Sequence, residues 1–309
     1  MNRCPITYEP LPDGVACSQK GLKLLNRKLA SLAPLEFTAE QQRQEAINRA
    51  GKMSIQGLQL KLSMVLRITK GRFEVVNRGG RYILKPQSLD FPELPENEDL
   101  TMRMAAAAGI EVPVHGLLRS IDGSFAYFIK RFDREGRVRL PVEDFAQLSG
   151  GSRQTKYDSS MEKVAALIDQ FCTFPAIERV KLFERALFSF LVGNEDMHLK
   201  NFSLITRNDK VQLAPAYDLL NTTIALKTAK EEMALPLKGR KSNLTRNDLL
   251  NYFARERLQI NEQVLNGVLS RFARAIPAWH ELLDQSFLSA DAKQKYAALL
   301  AERRQRMQL

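Results

Sequence analysis

The sequence predicts an α+β protein with a β-rich N-terminal part, residues 1–135, and a mainly helical C-terminal part, residues 136–309. Three observations predict it. Apolar residues alternate with polar ones from Leu60 to Ile68, the period of a half-buried strand. Short polar turns at residues 69–72 and 77–80 follow, each leading into another apolar run. Beyond Pro141 the apolar spacing changes to three and four, the period of a helix.

Residues 21–32 carry Leu22, Leu25, Leu29 and Leu32, the stripe of a short helix. Thr38 with Gln41 three residues later is a capping box for a second. Residues 60–68, 73–76 and 81–85 then read as three successive strands in a β-meander, stopped by Pro86. A helix opens at Pro95-Glu96-Asn97-Glu98, where acidic residues suit the N-terminal dipole, and runs to Gly109. Residues 124–132 form another strand. A polar loop at residues 150–154 precedes helices over 161–172, 177–192, 264–276 and 290–306. One hairpin interrupts them: 202–205, the turn 207–210, then 211–214. Trp279 and His280 fall on a helical stripe and read as packing rather than as ligands.

The 309 residues can bury a core without disulfides or metals. Lys and Arg number 46 against 35 Asp and Glu, a net charge of +11. That excess is spread along the chain, so a solvated basic surface and an anionic partner remain equally open. Cys4, Cys17 and Cys172 lie far apart in sequence and form no CxxC pair, which excludes a zinc ribbon and fits a reducing compartment. His115, His198 and His280 are scattered, which argues against a zinc hydrolase, and no G-x-S-x-G elbow is present. Neither a signal peptide nor a membrane span is legible, so the expected location is cytoplasmic.

The hairpin carries the chemistry. Before it stands Asn194-Glu195-Asp196-Met197-His198-Leu199-Lys200-Asn201, and after it Ala214-Pro215-Ala216-Tyr217-Asp218. Adjacent strands would bring Asn201 and Asp218 to one mouth, where an amide oxygen and a carboxylate suit Mg²⁺. Asp196 could take the proton of an attacking hydroxyl. Asp-x4-Asn alone recurs by chance. With the hairpin and the second Asp it has the spacing of a protein-kinase catalytic loop and metal aspartate. The plainer reading makes Asp196 a turn cap and gives Asn201 to loop backbone. Lys85, ending the third strand, could reach ATP phosphates, held by Glu98 or, as second choice, Glu96. Taken alone it reads more readily as an edge-strand lysine in water. Residues 54–61 hold one glycine, so they are no G-x-G-x-x-G, yet their N–H groups could cover phosphates.

Together these residues resemble the HipA-like serine/threonine kinases, toxins of bacterial toxin–antitoxin systems. The matching stretches are Ser54-Ile55-Gln56-Gly57-Leu58-Gln59-Leu60-Lys61, Tyr82-Ile83-Leu84-Lys85-Pro86 and Ile129-Lys130-Arg131-Phe132-Asp133-Arg134. Val142-Glu143-Asp144-Phe145-Ala146-Gln147, Asp196-Met197-His198-Leu199-Lys200-Asn201-Phe202-Ser203-Leu204 and Leu213-Ala214-Pro215-Ala216-Tyr217-Asp218 complete the set, in the family's order. The resemblance implies a two-lobed protein-kinase-like fold, with a β-rich N-terminal lobe and a mainly helical C-terminal lobe, that binds ATP and Mg²⁺. By position Asp196 is then the catalytic base, and Asn201 and Asp218 hold the metal. Lys85 binds phosphate. Gln56, Gly57, Leu58, Gln59, Leu60 and Lys61 form the phosphate loop. Lys130, Arg131 and Phe132 form the adenine hinge. His198, Leu199, Lys200, Asn201, Tyr217 and Asp218 line the nucleotide.

Family kinases phosphorylate aminoacyl-tRNA synthetases and a serine of their own phosphate loop, which here matches Ser54. With 53 residues before Ser54, the chain is most similar to the short HipT type of three-gene systems. That type implies a tryptophanyl-tRNA synthetase as substrate. It also implies two antitoxin proteins, a HipB-like DNA-binding protein and a small HipS-like protein, with no sequence-specific nucleic-acid binding by the kinase. Some relatives carry a second serine where Gln56 stands. Two other readings remain: a small-molecule kinase of the aminoglycoside or choline type, and an inactive kinase-like binding subunit. The intact set Lys85, Asp196, Asn201 and Asp218 argues against the last, and the basic tail at Arg303, Arg304 and Arg306 against the former.

Overall fold

A computed structural model of the chain describes residues 2–50, 60–136, 138–151, 155–226 and 231–309. The chain divides into two compact units. The first comprises Met1–Leu100, Pro113–Arg131 and Gln285–Leu288; the second comprises Thr101–Val112, Phe132–Asp284 and Ser289–Leu309.

In the first unit, α1 (Gln19–Leu25) is shorter than the leucine spacing predicts. Asn26 ends it in extended backbone, and its side chain accepts from the Lys28 N–H, so Leu29 reaches the core from a turn. In α2 (Ala39–Ala50) the capping box forms as read: the Gln41 N–H donates to Thr38 Oγ1, and the Thr38 N–H to Gln41 Oε1. The strands are β1 (Leu62–Arg67), β2 (Arg72–Val75), β3 (Tyr82–Lys85), β4 (His115–Arg119) and β5 (Phe125–Lys130), with α3 (Leu94–Ala107) inserted after β3.

All pairings are antiparallel, in the order β2-β1-β3-β5-β4. This corrects the β-meander expected from sequence: β3 pairs with the far edge of β1, Leu62 facing Leu84, rather than with β2. The chain crosses β1 at Gly80, where a Cβ would fall on Ser63 Oγ and lie 3.1 Å from Ser63 Cβ. A Cβ there would turn the Ser63 hydroxyl aside and press on Ser63 Cβ and the Met64 nitrogen. Gly80→Ala is therefore expected to cost about 1–3 kcal/mol in urea unfolding. Ser63→Ala in the same chain should recover part of that loss. The core between sheet and helices holds Leu22, Leu25, Met64, Phe73, Leu84 and Phe128. Phe73 packs edge-on to Tyr82 at 5.0 Å. Cys4 and Cys17, distant in sequence, meet in this core with sulfurs 3.6 Å apart, both as free thiols.

The second unit takes the end of α3 from Thr101 and then the two-residue strands β6 (Arg134–Glu135) and β7 (Val138–Arg139). Then come β8 (Val142–Asp144), α4 (Phe145–Leu148), α5 (Met161–Phe171) and α6 (Pro175–Val192). The hairpin strands are β9 (Ser203–Arg207) and β10 (Lys210–Leu213), turned by Asn208 and Asp209, both left-handed. β8 adds to the hairpin, giving the order β10-β9-β8. The short α7 (Thr222–Ala225) follows. A wide helix at Asn247–Arg257 then precedes α8 (Glu262–Gln285) and α9 (Ala290–Met307). Trp279 is a packing residue, as its stripe implies. It is buried, donates Nε1–H to the Met104 carbonyl at 2.8 Å, and meets Phe188 edge-on. Among the described residues no helix is long and apolar enough to cross a membrane.

Candidate functional site

In the first unit Lys85, the last residue of β3, is not an edge lysine in water. Its side chain is 1% exposed and lies 2.5 Å from Glu98 Oε1, which is 0% exposed. Tyr127, opposite Lys85 on β5, places its ring 5.5 Å below the ammonium. Glu98 stands in the second turn of α3, so strand and helix each deliver one charge to a dry site. The neighbouring Asp99 holds His115 of β4 at 2.9 Å.

Glu96, the second choice for the lysine, sits elsewhere on the helix. It is buried, and its Oε2 has no hydrogen-bond partner among the described residues. Burial pushes its carboxyl up from 4.5 to about 7, helped by the charges of Glu93 and Asp99. A raised folded-state value means that the folded chain binds the proton more tightly. Stability is thus full below the unfolded value and falls as pH rises toward 7. Glu96→Gln is expected to stabilise the chain by about 2–3 kcal/mol at pH 8. At pH 4 it should change little; chemical denaturation at the two pH values reads the difference.

Of the predicted phosphate loop, Ser54, Gln56, Gly57, Leu58 and Gln59 lie outside the described residues. Leu60 packs on the first-unit core, and Lys61 is exposed where β1 begins. In the predicted hinge, the Lys130 N–H donates to the Val114 carbonyl and the Arg131 N–H to the Arg81 carbonyl. Those two donors are spent inside the sheet. Phe132, first residue of the second unit's main segment, stacks on Tyr217 at 5.5 Å.

In the second unit α6 aims the chain at the chemistry. It ends at Gly193, which is left-handed (φ +68°) and crowded by Thr223 and Asn221. Asn194 to Asn201 follow. The Asn201 amide donates Nδ2–H to the Asp196 carbonyl at 2.8 Å, so Asn201 does serve loop backbone. That bond also orients the amide and leaves Oδ1 as its donor atom for a hard cation. Tyr217 bridges the hairpin mouth: its hydroxyl donates to the Lys200 carbonyl at 2.9 Å and contacts Ser203 Oγ at 2.5 Å. This ties the residue before Asp218 to the residue before Asn201. Asp218 itself is left-handed (φ +55°). Among the described residues no group of three or more His, Cys, Asp or Glu could hold a metal, so a cation here would draw on Asn201, Asp218 and non-protein oxygens.

Two further residues attach to this loop, and sequence reasoning missed them. Tyr157 donates its hydroxyl to Asp196 Oδ1 at 2.5 Å. Burial, then that bond, push the phenol's pKa up. Lys156 Nζ lies 2.7 Å from His198 Nε2. A lysine donating there requires a neutral ring with its proton on Nδ1, and burial depresses the His198 pKa accordingly. Lys200 pairs with Asp144, the cap of α4, at 2.6 Å. Leu199 is buried. A Lys-Tyr pair directly after a polar loop was the available signal.

Comparison with known proteins places this arrangement. The family model described as "HipA-like C-terminal domain" matches residues 53–280. The chain belongs to the HipA-like family. A presumed kinase of Haemophilus influenzae is 33% identical over 242 residues, covering 72% of this chain and 69% of that protein. A presumed kinase of Sinorhizobium fredii, Y4mE, is 35% identical, covering 61% of this chain but 47% of its own length. The HipA-like chain thus spans about half of that second relative. Among solved structures, HipA of Shewanella oneidensis, in complex with HipB and operator DNA, superposes with a TM-score of 0.68 at 23% identity, over 91% of this chain and 74% of that one. The Helicobacter pylori proinflammatory kinase CtkA gives 0.53 at 18%, over 73% and 86%. These likenesses bear out the kinase-like fold. By family the HipA-like chain stands among kinases and a serine/threonine-protein kinase toxin of S. oneidensis.

Proposed function

We propose that this HipA-like chain is an ATP- and Mg²⁺-dependent serine/threonine protein kinase. The observation that carries the reading is the buried Lys85–Glu98 pair, a strand lysine held by a helix glutamate as kinases hold it for phosphate. Lys85 would neutralise phosphate charge. Asn201 Oδ1 and Asp218 would hold the cation, which supplies charge stabilisation to the transferring phosphoryl group. Asp196 would accept the proton of the attacking hydroxyl. Phe132 would supply the hinge contact that Lys130 and Arg131 have spent on the sheet.

In this reading the acceptor is a serine of an aminoacyl-tRNA synthetase, the tryptophanyl enzyme by resemblance, and Ser54 is the site of autophosphorylation. HipB-like and HipS-like antitoxins would restrain it. Purified protein with [γ-³²P]ATP should label itself and one synthetase from a panel, with labelling abolished by EDTA. Asp218→Asn should lower labelling at least about 10²-fold, with part regained at raised Mg²⁺. An acceptor confined to small alcohols or aminoglycosides would defeat the protein-kinase reading.

A further inference from the structure

The second unit contains a cavity of about 550 Å³, the size of small-molecule sites. It lies between the turn Gly109-Ile110-Glu111, the outer face of α6, the loop Gln259-Ile260-Asn261 and the start of α8. None of the candidate kinase residues lines it. Its walls are mostly apolar: Ile110, Ile177, Val180, Ile260 and Val264. Ile177 and Val264 stand at its rim, 56% and 38% exposed.

The charges around it do not cancel. Lys181 pairs with Glu178, Arg271 with Glu184, and Glu111 with Arg207. Arg185, buried among the lining residues, feels the charges of Glu178, Glu111 and Glu184 but makes no direct ion pair among the described residues. Its Nη2 donates to the Ala214 carbonyl, while Nε–H and Nη1–H find no acceptor. Arg271 Nε–H, in the same lining, also lacks one. A buried guanidinium with unspent donors is costly unless an anion completes it. One surplus positive charge calls for one negative charge. A phosphate monoester carries about −1.5 to −2 at pH 7 and overshoots; a carboxylate matches, and accepts bidentate donation from arginine.

We infer that this cavity is a binding site for a small monocarboxylate with an apolar body, its head on Arg185 and Arg271 and its chain along Ile110, Ile260 and Val264. This is separate from the kinase reading and stands or falls without it. The unspent N–H groups of Arg185 are themselves buried, so a carboxylate that engages them must move the side chains that cover them.

The test is methyl NMR of the full chain labelled at isoleucine, titrated with octanoate, octanol and inorganic phosphate. Octanoate should shift the Ile110, Ile177 and Ile260 methyls saturably, and octanol should bind at least about tenfold more weakly, since it leaves the guanidinium unpaired. Ile177→Glu and Val264→Glu, at exposed rim positions, should each weaken octanoate several-fold while leaving the rest of the spectrum unchanged. Glu111→Gln, which removes a rim negative charge, should strengthen it. Equal binding of octanol and octanoate would overturn the inference, as would phosphate matching octanoate, shifts at isoleucines elsewhere, or no shift at millimolar octanoate.

Discussion

Asp196→Asn is expected to lower phosphoryl transfer at least about 10²-fold, within the range for loss of a general base. The substitution keeps the shape of the side chain. The acceptor for the Tyr157 hydroxyl survives as an amide oxygen, and the Asp196 carbonyl that Asn201 grips is backbone and unaffected. Folding should therefore be preserved, and the loss should fall on kcat rather than on nucleotide affinity. Single-turnover transfer with saturating Mg²⁺-ATP, beside a thermal unfolding scan, reads both quantities. Transfer near the unsubstituted rate would remove Asp196 from the proposed mechanism.

The second large effect concerns stability. Glu98→Ala removes the carboxylate 2.5 Å from the buried Lys85 ammonium and is expected to cost about 3–5 kcal/mol. Lys85→Met removes the other charge of the pair and should cost a similar amount. Removing both charges together, as Lys85→Met with Glu98→Leu, should cost less than the sum of the two single losses, because each single change also removes the contact between them. Urea unfolding of the four proteins forms a double-mutant cycle. Additive losses would mean that the two groups do not interact. The doubly substituted chain should fold well and transfer no phosphate, which separates the structural role of the pair from its chemical one.

What could be read in the sequence was what is local. The alternation of residues 60–68, the capping box at Thr38 and Gln41 and the hairpin around Asn208-Asp209 each depend on neighbours in the chain, and each formed, the strand over the shorter Leu62–Arg67. The strand β4 escaped because His115-Gly116-Leu117-Leu118 is buried on both faces and shows no alternation. The three-residue β8 is too short to carry a period. The helix at Asn247–Arg257 is rich in Asn, Asp and Arg, which masks its stripe of Leu249, Leu250 and Phe253. Strand order was misread because β3 pairs with the free edge of β1 rather than with its sequence neighbour β2, a choice between edges that local pattern does not encode. At the candidate site, the residue types and spacing of Asp196, Asn201 and Asp218 were legible. The attachment of Tyr157 and Lys156 was not, since those contacts span 39 and 42 residues.

The bond from Tyr157 to Asp196 has a consequence for which hydroxyls can react. With Asp196 as the base, its Oδ1 already holds an alcohol proton donor from the same chain. An acceptor hydroxyl must either displace that internal hydroxyl from Oδ1 or use the other carboxylate oxygen, Oδ2, beside it. Free serine or a short peptide would meet this crowded carboxylate without contacts elsewhere to hold it there. A folded protein that docks over a wide surface has such contacts, and they would hold its hydroxyl in place. Acceptor choice would then be set by whole-surface docking rather than by the sequence around the phosphorylated serine, and peptide libraries would understate what this chain can modify.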